Sequence, residues 1–561
     1  MSLKKSDTNS KGQGSSAPQG QRRGRSGPIP SKATKSTTSD ASVVASSSRK
    51  RKFQFYDTEK SRKTRRRAEP ISSEPGDDTS TRSATTPTLT ATAKQAKTAL
   101  AKNVVARNVA LGPIPTPLRT INRVPTQVLQ VIVFGSGECG ELGLGPSEKE
   151  KLRPFVNPFL AGNGTGAFHV VQLDCGGMHT VALTNDNKII TWGVNDQGAL
   201  GRNTTWDGGL RDVDAESDSD DENLNPFEST PTQIPADCFP PGTKFVQVAA
   251  GDSCSFALTD TGLVYGWGTF LDAEGKPRFI YTDEKLVEVS HEPSLIPGLA
   301  NITQLACGKN HAIALDQAGN VWAWGVGQKN QLGYHLFESR QYSRRLLESF
   351  QPRRVNLRRN KAKYIASGLE HSFAVDQKDN VWAWGLNRFG QAGYAKDAGS
   401  DNVCLPYPMK IAGLSGKGVT VLSGGADHSA AVTVDGQCLV WGRIDGGQLG
   451  VELDDKQLQD DTLTRRDDRG LPRICLRPVA VPNIGATVYV SCGTGHTIFV
   501  NTEGRAYGAG FGSLGQLGIA SKDDAKVAER ITGAAVKDKT LTWCGAGGLF
   551  SMVAAAGEAA P

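Results

Sequence analysis

The sequence predicts an all-β fold, a seven-bladed β-propeller closed by pairing of its N- and C-terminal strands and preceded by a disordered basic tail. Three observations carry this reading. A cassette recurs: Val321-Trp-Ala-Trp324-Gly325 with Asn330-Gln-Leu-Gly333 returns as Val381-Trp-Ala-Trp384-Gly385 with Gly390-Gln-Ala-Gly393. A His stands thirteen residues before each second Trp, at His311 and His371. Half a cassette stands at each end of the array, and the two halves make one whole.

The tail is expected to occupy residues 1–123. Residues 1–118 carry 23 Lys and Arg against 8 Asp and Glu, a net +15, so the remaining residues carry 41 against 49, a net −8. With so little to bury, the segment cannot offset the entropy of ordering. Two basic clusters stand in it, Arg49, Lys50, Arg51, Lys52 and, in Lys60–Arg67, Arg62, Lys63, Arg65, Arg66, Arg67. Two clusters separated by seven residues resemble a bipartite nuclear localisation signal, whose Lys and Arg side chains lie in acidic grooves of an import receptor. The same charges suit DNA phosphates without sequence preference. The expected partners of the tail are thus a nuclear import receptor and chromatin, through its DNA or its histones.

The array, residues 124–556, begins with Phe134-Gly135 and Gly140-Glu-Leu-Gly143, which lack an upstream half. Six units follow in register: His179 before Trp192, Cys254 before Trp267, His311 before Trp324, His371 before Trp384, His428 before Trp441 and His496 before Ala509, each thirteen apart. Trp543 to Ala554 reads as the missing upstream half, giving seven units and a ring. Closure removes exposed strand edges. Alternation in Ile302–Ala306 and turns such as Gln317-Ala-Gly319-Asn320 mark hairpins, and units of roughly fifty residues with Gly-rich turns indicate propeller blades. Each Trp is expected to pack between neighbouring blades, with the Gly after it admitting close backbone approach. The repeat histidines read as groups bonding neighbouring backbone. Residues 557–561 form a short C-terminal tail.

Departures from the repeat say more about function. The third unit replaces Gly-Gln-Leu-Gly by a charged loop, Trp267-Gly-Thr-Phe-Leu-Asp-Ala-Glu-Gly-Lys-Pro-Arg278, and its His by Cys254. Further insertions are acidic (Asp212–Glu222), basic (Arg340–Lys363) and polar (Glu452–Pro472); the acidic and polar ones read as solvated loops.

Cys175, Cys307, Cys492 and Cys544 precede Gly where other units carry Ala250, Ser367 or Gly424, so Cys acts as a small hydrophobe in a reducing compartment. No secretory signal opens the chain, and the apolar run Val128–Phe134 is too short to span a bilayer. A soluble protein without a membrane partner is expected. Gly135-Ser-Gly137-Glu-Cys-Gly140 matches a dinucleotide fingerprint, but no helix is expected after it and no Walker loop occurs. Cys and His fall one per unit rather than at zinc spacing. Neither cofactor nor metal is expected.

The His, Trp-Gly and Gly-Gln-Leu-Gly pattern resembles the regulator of chromosome condensation repeat, over roughly three quarters of the chain. The irregular third unit, the tail, and stretches such as Tyr364-Ile-Ala-Ser-Gly368 and Trp384-Gly-Leu-Asn-Arg-Phe-Gly390-Gln are similar to fungal members of its founding branch. That branch is the guanine nucleotide exchange factor for the nuclear GTPase Ran. The resemblance implies catalysis of exchange, without covalent chemistry, by Asp252, His428 and the position of Asn310, where the branch carries Asp. It implies GTPase contacts from His179, from Glu138, and from a wedge comprising Thr269, Phe270, Asp272, Ala273, Glu274, Gly275, Lys276 and Pro277. Nuclear, chromatin-associated action on a Ran-type GTPase follows as the expectation. The alternative is a non-catalytic propeller scaffold recruiting another nuclear protein.

Overall fold

The computed structural model describes residues 119–160, 166–207, 223–336 and 342–557. Both basic clusters, the acidic loop Asp212–Glu222 and most of the C-terminal tail lie outside them. Seven main antiparallel sheets follow one another, six of four strands and one of five. Blade 4 shows the plan: Ile302–Cys307, His311–Asp316, Val321–Gly325 and Arg353–Val355 lie side by side from the channel outward. The second strand of each blade is buried along its length, as in His371–Asp376, apart from the last residue in blades 4 and 1, because it is covered on both faces by neighbouring blades. The core therefore lies between blades. Ile313, Leu315, Val321 and Leu332 of blade 4, for example, pack with Ile365, Ala374, Trp382 and Trp384 of blade 5.

Blade 1 closes the ring. Leu129–Ser136 pairs with Phe550–Ala556 in an unbroken register from Leu129 opposite Ala556 to Gly135 opposite Phe550. Its order from the rim inward is Glu150–Val156, Leu129–Ser136, Phe550–Ala556, Leu541–Ala546. The Gly after each Trp is needed: Gly325 has φ +112°, and a Cβ there would sit 2.8 Å from Asn310 O. At the equivalent glycine in several blades, such as Gly385 and Gly442, the register to the outermost strand shifts.

Three expectations change. Cys544 is not at the small-residue position of the other blades; Ala546 is, because Ala546 pairs with Ser551 as Cys175 pairs with Thr180. Cys544 instead packs with Phe134, Ile498 and Val553. The polar insertion of blade 6 is built rather than merely solvated. Asp454 caps the helix Asp455–Gln459 in a reciprocal box with Gln457, and Thr464–Arg466 adds the fifth strand. Residues 119–123, assigned to the tail, include Ile121 and Asn122, whose N–H groups both bond Asp260 O, at 2.8 and 3.0 Å. All ten cysteines are free thiols.

Candidate functional site

In each blade the loop after the first strand and the loop after the third emerge at the same end, because the strands alternate in direction. One end of the propeller thus collects seven short Gly-x-x loops around the channel, ringed by seven loops after the third strands, five of which follow Trp-Gly. Beneath this face a repeated latch joins neighbouring blades. His371 Nε2 lies 2.7 Å from Ser429 Oγ of the next blade, and Ser429 Oγ donates to Gln391 O at 2.9 Å. Trp441 Nε1 donates to the same carbonyl at 2.9 Å. The same carbonyl position is the acceptor at Ala199, Gln331, Gln448 and Gln516, so its backbone rather than its side chain serves the latch. His179 to Ser255, His311 to Ser372, His428 to Thr497 and His496 to Ser551 repeat the arrangement at 2.8–2.9 Å.

The latch settles the ring tautomer. Each Ser or Thr spends its one proton on the carbonyl, so His Nε2 must carry the hydrogen and donate. Nδ1 is then an acceptor with no side-chain or backbone donor among the described residues in His311, His371, His428 and His496. Burial, which opposes the charged form, holds His311, His371 and His428 down to about 3 and His179 and His496 to about 4, with nearby backbone carbonyls acting weakly against it at His179, His428 and His496. The ring needs glycine beside it: a Cβ on Gly368 would meet His371 Cε1 at 2.1 Å.

The junction between blades 3 and 4 has none of this. Cys254 replaces His, Ala312 replaces Ser or Thr, and the third unit has no Gly-Gln-Leu-Gly carbonyl to offer. Trp324 Nε1 is accordingly buried without an acceptor among the described residues. Aromatic packing takes over: Phe256 stacks on Phe270 and Phe279 and meets Trp324 edge-on, with centroids 5.4 Å apart at 88°. Phe350 closes the cluster against Phe270.

The loop that displaced the latch is an ordered hairpin on the face. Phe270–Leu271 pairs with Pro277–Arg278, and Asp272 builds the turn between them. Asp272 Oδ1 accepts from the Glu274 and Lys276 N–H groups, and Oδ2 pairs with Arg278 Nε at 2.7 Å. Burial opposes ionisation of Asp272, but Arg278 and these N–H groups outweigh it and hold the carboxyl below its ordinary value. Gly275 takes φ +73° at the tip. Thr269 Oγ1 donates to Glu288 O at 2.6 Å and accepts from Arg278 N. Blade 4 holds the hairpin from the side. Asn310 Oδ1 accepts from Leu271 N and Gln328 Oε1 from Ala273 N, both at 2.8 Å.

These contacts sort the sequence-predicted residues. Ala273, Glu274, Gly275 and Lys276 form the exposed tip, with Pro277 half-buried behind it. Thr269, Phe270 and Asp272 are buried and shape the hairpin. Glu138 is exposed on the post-Phe134 loop at the same end. Asp252 stands half-exposed at the channel mouth, with Oδ2 3.9 Å from Lys309 Nζ. Burial raises its carboxyl above the ordinary value, and Lys309 counteracts this. His179 and His428 lie in latches at or below 1 % exposure, and Asn310 faces the hairpin. An Asn in this position keeps the acceptor that an Asp would supply.

Sequence reasoning missed several charged residues of this face. Lys309, Glu370 and Asp427 occupy the Gly-x-x loops of blades 4, 5 and 6. Burial raises Glu370 and Asp427, against Lys329 and Lys309 for the first and Arg443 and Arg388 for the second. Arg443 reaches Asp427 at 3.3 Å. Arg388, Arg443 and Arg473 surround the Phe389 ring at 4.6–5.0 Å. The two positions between Gly and His in every unit would have revealed the loop residues, since that spacing places them on the face. The basic insertion divides: Tyr342–Glu348 is a short helix in the loop after the third strand of blade 4, at this end, whereas Arg353–Val355 is the outer strand and Arg358 and Arg359 turn beyond it with φ 51° and 68°.

Comparison with known proteins agrees with this architecture. The model of the RCC1-like domain matches residues 130–553. The guanine nucleotide exchange factor SRM1 of Saccharomyces cerevisiae is 38% identical over 437 residues, covering 76% of this chain and 87% of that one. The crystal structure of Prp20p from Saccharomyces cerevisiae, described with its binding properties to Gsp1p and histones, superposes with a TM-score of 0.68 at 35% identity, over 78% of this chain and 93% of that one. Yeast RCC1 (Prp20) with Kap60 bound superposes with the same TM-score at 34% identity, over 82% and 97%. With the family's model spanning every blade and its relatives covered nearly end to end, the chain belongs to the RCC1-like domain family.

Proposed function

We propose that this chain is a guanine nucleotide exchange factor for a Ran-type GTPase, acting on chromatin in the nucleus and without covalent chemistry. The observation that carries the reading is the hairpin at 270–278. The fold had a regular solution for this loop in Gly-Gln-Leu-Gly, and the chain instead gives up a complete interblade latch to hold a rigid projection beside Asp252. Its likeness to the exchange factor SRM1 supports the same reading.

The mechanism is linkage. A face that binds the nucleotide-free GTPase more tightly than the nucleotide-bound form weakens nucleotide and magnesium binding by the same factor. The exposed tip, Ala273–Lys276, presses on the phosphate-binding region, and its backbone is fixed by Asp272, Arg278, Asn310 and Gln328. Asp252 offers a carboxyl acceptor to basic or amide groups of the GTPase. His179 and His428 act from beneath, by fixing the loops that carry the contacting residues. Refilling by the more abundant nucleotide sets the direction. The tail supplies binding to chromatin and to a nuclear import receptor, in keeping with the histone and Kap60 binding of the yeast relative.

Release of a fluorescent guanine nucleotide from purified Ran tests the reading. Substoichiometric amounts of this protein are expected to accelerate release, and Asp252→Ala to slow it by about tenfold or more with an unchanged melting temperature, as loss of a charged interface contact predicts. Tight binding to Ran without acceleration would favour the scaffold instead.

A further inference from the structure

The segment that enters the propeller, residues 119–123, crosses the end opposite the hairpin and stops at the junction of blades 3 and 4. Asn122 Nδ2 donates to Thr259 O of blade 3 and to Ile302 O of blade 4, each at 2.9 Å. Ile121 N and Asn122 N both bond Asp260 O, and Ile121 Cδ1 would lie 2.7 Å from a Cβ on Gly262, so the segment is seated on this turn. Three other junctions are stapled here by side chains of their own blades, while blades 6 with 7 and 7 with 1 are joined by the backbone bonds Thr487 N to Gly436 O and Leu541 N to Gly504 O. Asn187 bonds Thr243 O and Phe245 N between blades 2 and 3; Lys361 bonds Asn320 between 4 and 5; and Asp379 accepts from Gly418 N between 5 and 6. The blade 3 turn, Asp260-Thr261-Gly262, contributes only the backbone bond from Ile302 N to Gly262 O.

We infer that Asn122 is a positioning residue for the hairpin, an external staple across the junction that keeps neither the His bond nor the Trp bond of the latch. Blades 1 and 2 also lack a His, since Phe550 takes its place, but Trp192 Nε1 still bonds Glu141 O at 3.0 Å. Blades 3 and 4 keep neither bond. The hairpin belongs to blade 3 while its holders, Asn310 and Gln328, belong to blade 4, so its placement depends on how these two blades sit. A side chain that ties Thr259 to Ile302 fixes that relation from the far end, through Cys254–Thr259 of the blade 3 sheet and Ile302–Cys307 of the blade 4 sheet. The inference rests on the exchange reading for its consequence, but not for its geometry.

The test uses the full-length chain with Asn122→Ala. Hydrogen–deuterium exchange is expected to quicken roughly tenfold at Leu271 and Ile302, whose amides report the hairpin and the junction, as loss of two hydrogen bonds predicts. The Leu369 amide, bonded across blades 5 and 6 to Gly425 O, should be unchanged. In nucleotide release, the maximal rate is expected to fall about fivefold while the half-saturating GTPase concentration moves less than twofold, since every contact residue remains. Asn122→Asp, which keeps the shape but loses the donor, should behave like Asn122→Ala. Wild-type protection at Leu271, or equal loosening of all blades, would overturn the inference. The amide measurement needs no GTPase, so a wild-type chain that releases no nucleotide would overturn the exchange reading and leave the staple to be judged separately.

Discussion

Between blades 5 and 6, His371, Ser429, Trp441 and the Gln391 carbonyl form a closed set of hydrogen bonds; between blades 3 and 4, Cys254, Ala312 and Trp324 face an aromatic cluster. Both junctions bury the same kind of apolar strand, and both exclude water. They differ in what can be spared. A polar latch is directional and occupies the post-Trp loop, because that loop's carbonyl is the acceptor. Aromatic packing is indifferent to direction and releases the loop for another use. The chain uses that release once, where the hairpin stands. The cost is visible in Trp324 Nε1, a buried donor left without a partner.

The largest expected effect concerns acid. His371 is held at about 3, below its ordinary 6.5, so between those values the unfolded chain binds a proton that the native chain refuses. Stability therefore falls as pH drops below 6.5. His371→Gln removes that uptake, and its denaturation midpoint should fall less between pH 6.5 and 4, by about 3 kcal/mol over the interval. Comparison with wild type cancels Asp174 and Glu141, which burial raises to about 7 and which contribute in the opposite sense. Equal pH profiles would mean that the latch is not a neutral imidazole.

Next in size, Trp441→Phe removes the indole donor from the regular junction and should lower stability by about 1–2 kcal/mol in urea unfolding. Asn310→Ala removes the acceptor that holds Leu271 N and should slow nucleotide release about fivefold, while Asn310→Asp keeps it and should stay within twofold of wild type. The smallest effect sharpens the contrast most. Trp324→Phe deletes a donor that has no partner and should change stability by less than about 0.5 kcal/mol, because relief of the unmet donor offsets the lost area. A cost as large as that of Trp441→Phe would mean that the two junctions share their chemistry after all.

Much of this was legible in the residues. The thirteen-residue spacing between the His and Trp positions placed six blades, since one hairpin length separates the two positions in each of them. The split unit announced the closing pairs between Leu129 and Ala556 and between Gly135 and Phe550. Cys254 and the missing Gly-Gln-Leu-Gly marked the third unit as different. Spacing did not tell Cys544 from Ala546, because a two-residue shift keeps a side chain on the same face of a strand and leaves the alternation intact. It also did not show that Asn122 belongs to the propeller, because its two acceptors lie 137 and 180 residues away.

The sequence by itself determined the number of blades, the closure of the ring and the place where the repeat breaks, because each follows from local periodicity that one hairpin enforces on the next. Only the tertiary structure decided which residues of the broken unit face outward. Thr269, Phe270, Asp272, His179 and His428 have the residue types of a contact surface, yet all are buried, whereas Lys309, Glu370 and Asp427 stand in the loops of the face. The reason is physical: the ring folds seven distant loops onto one end, and the partner of each polar atom is chosen by the neighbouring blade rather than by the neighbouring residue.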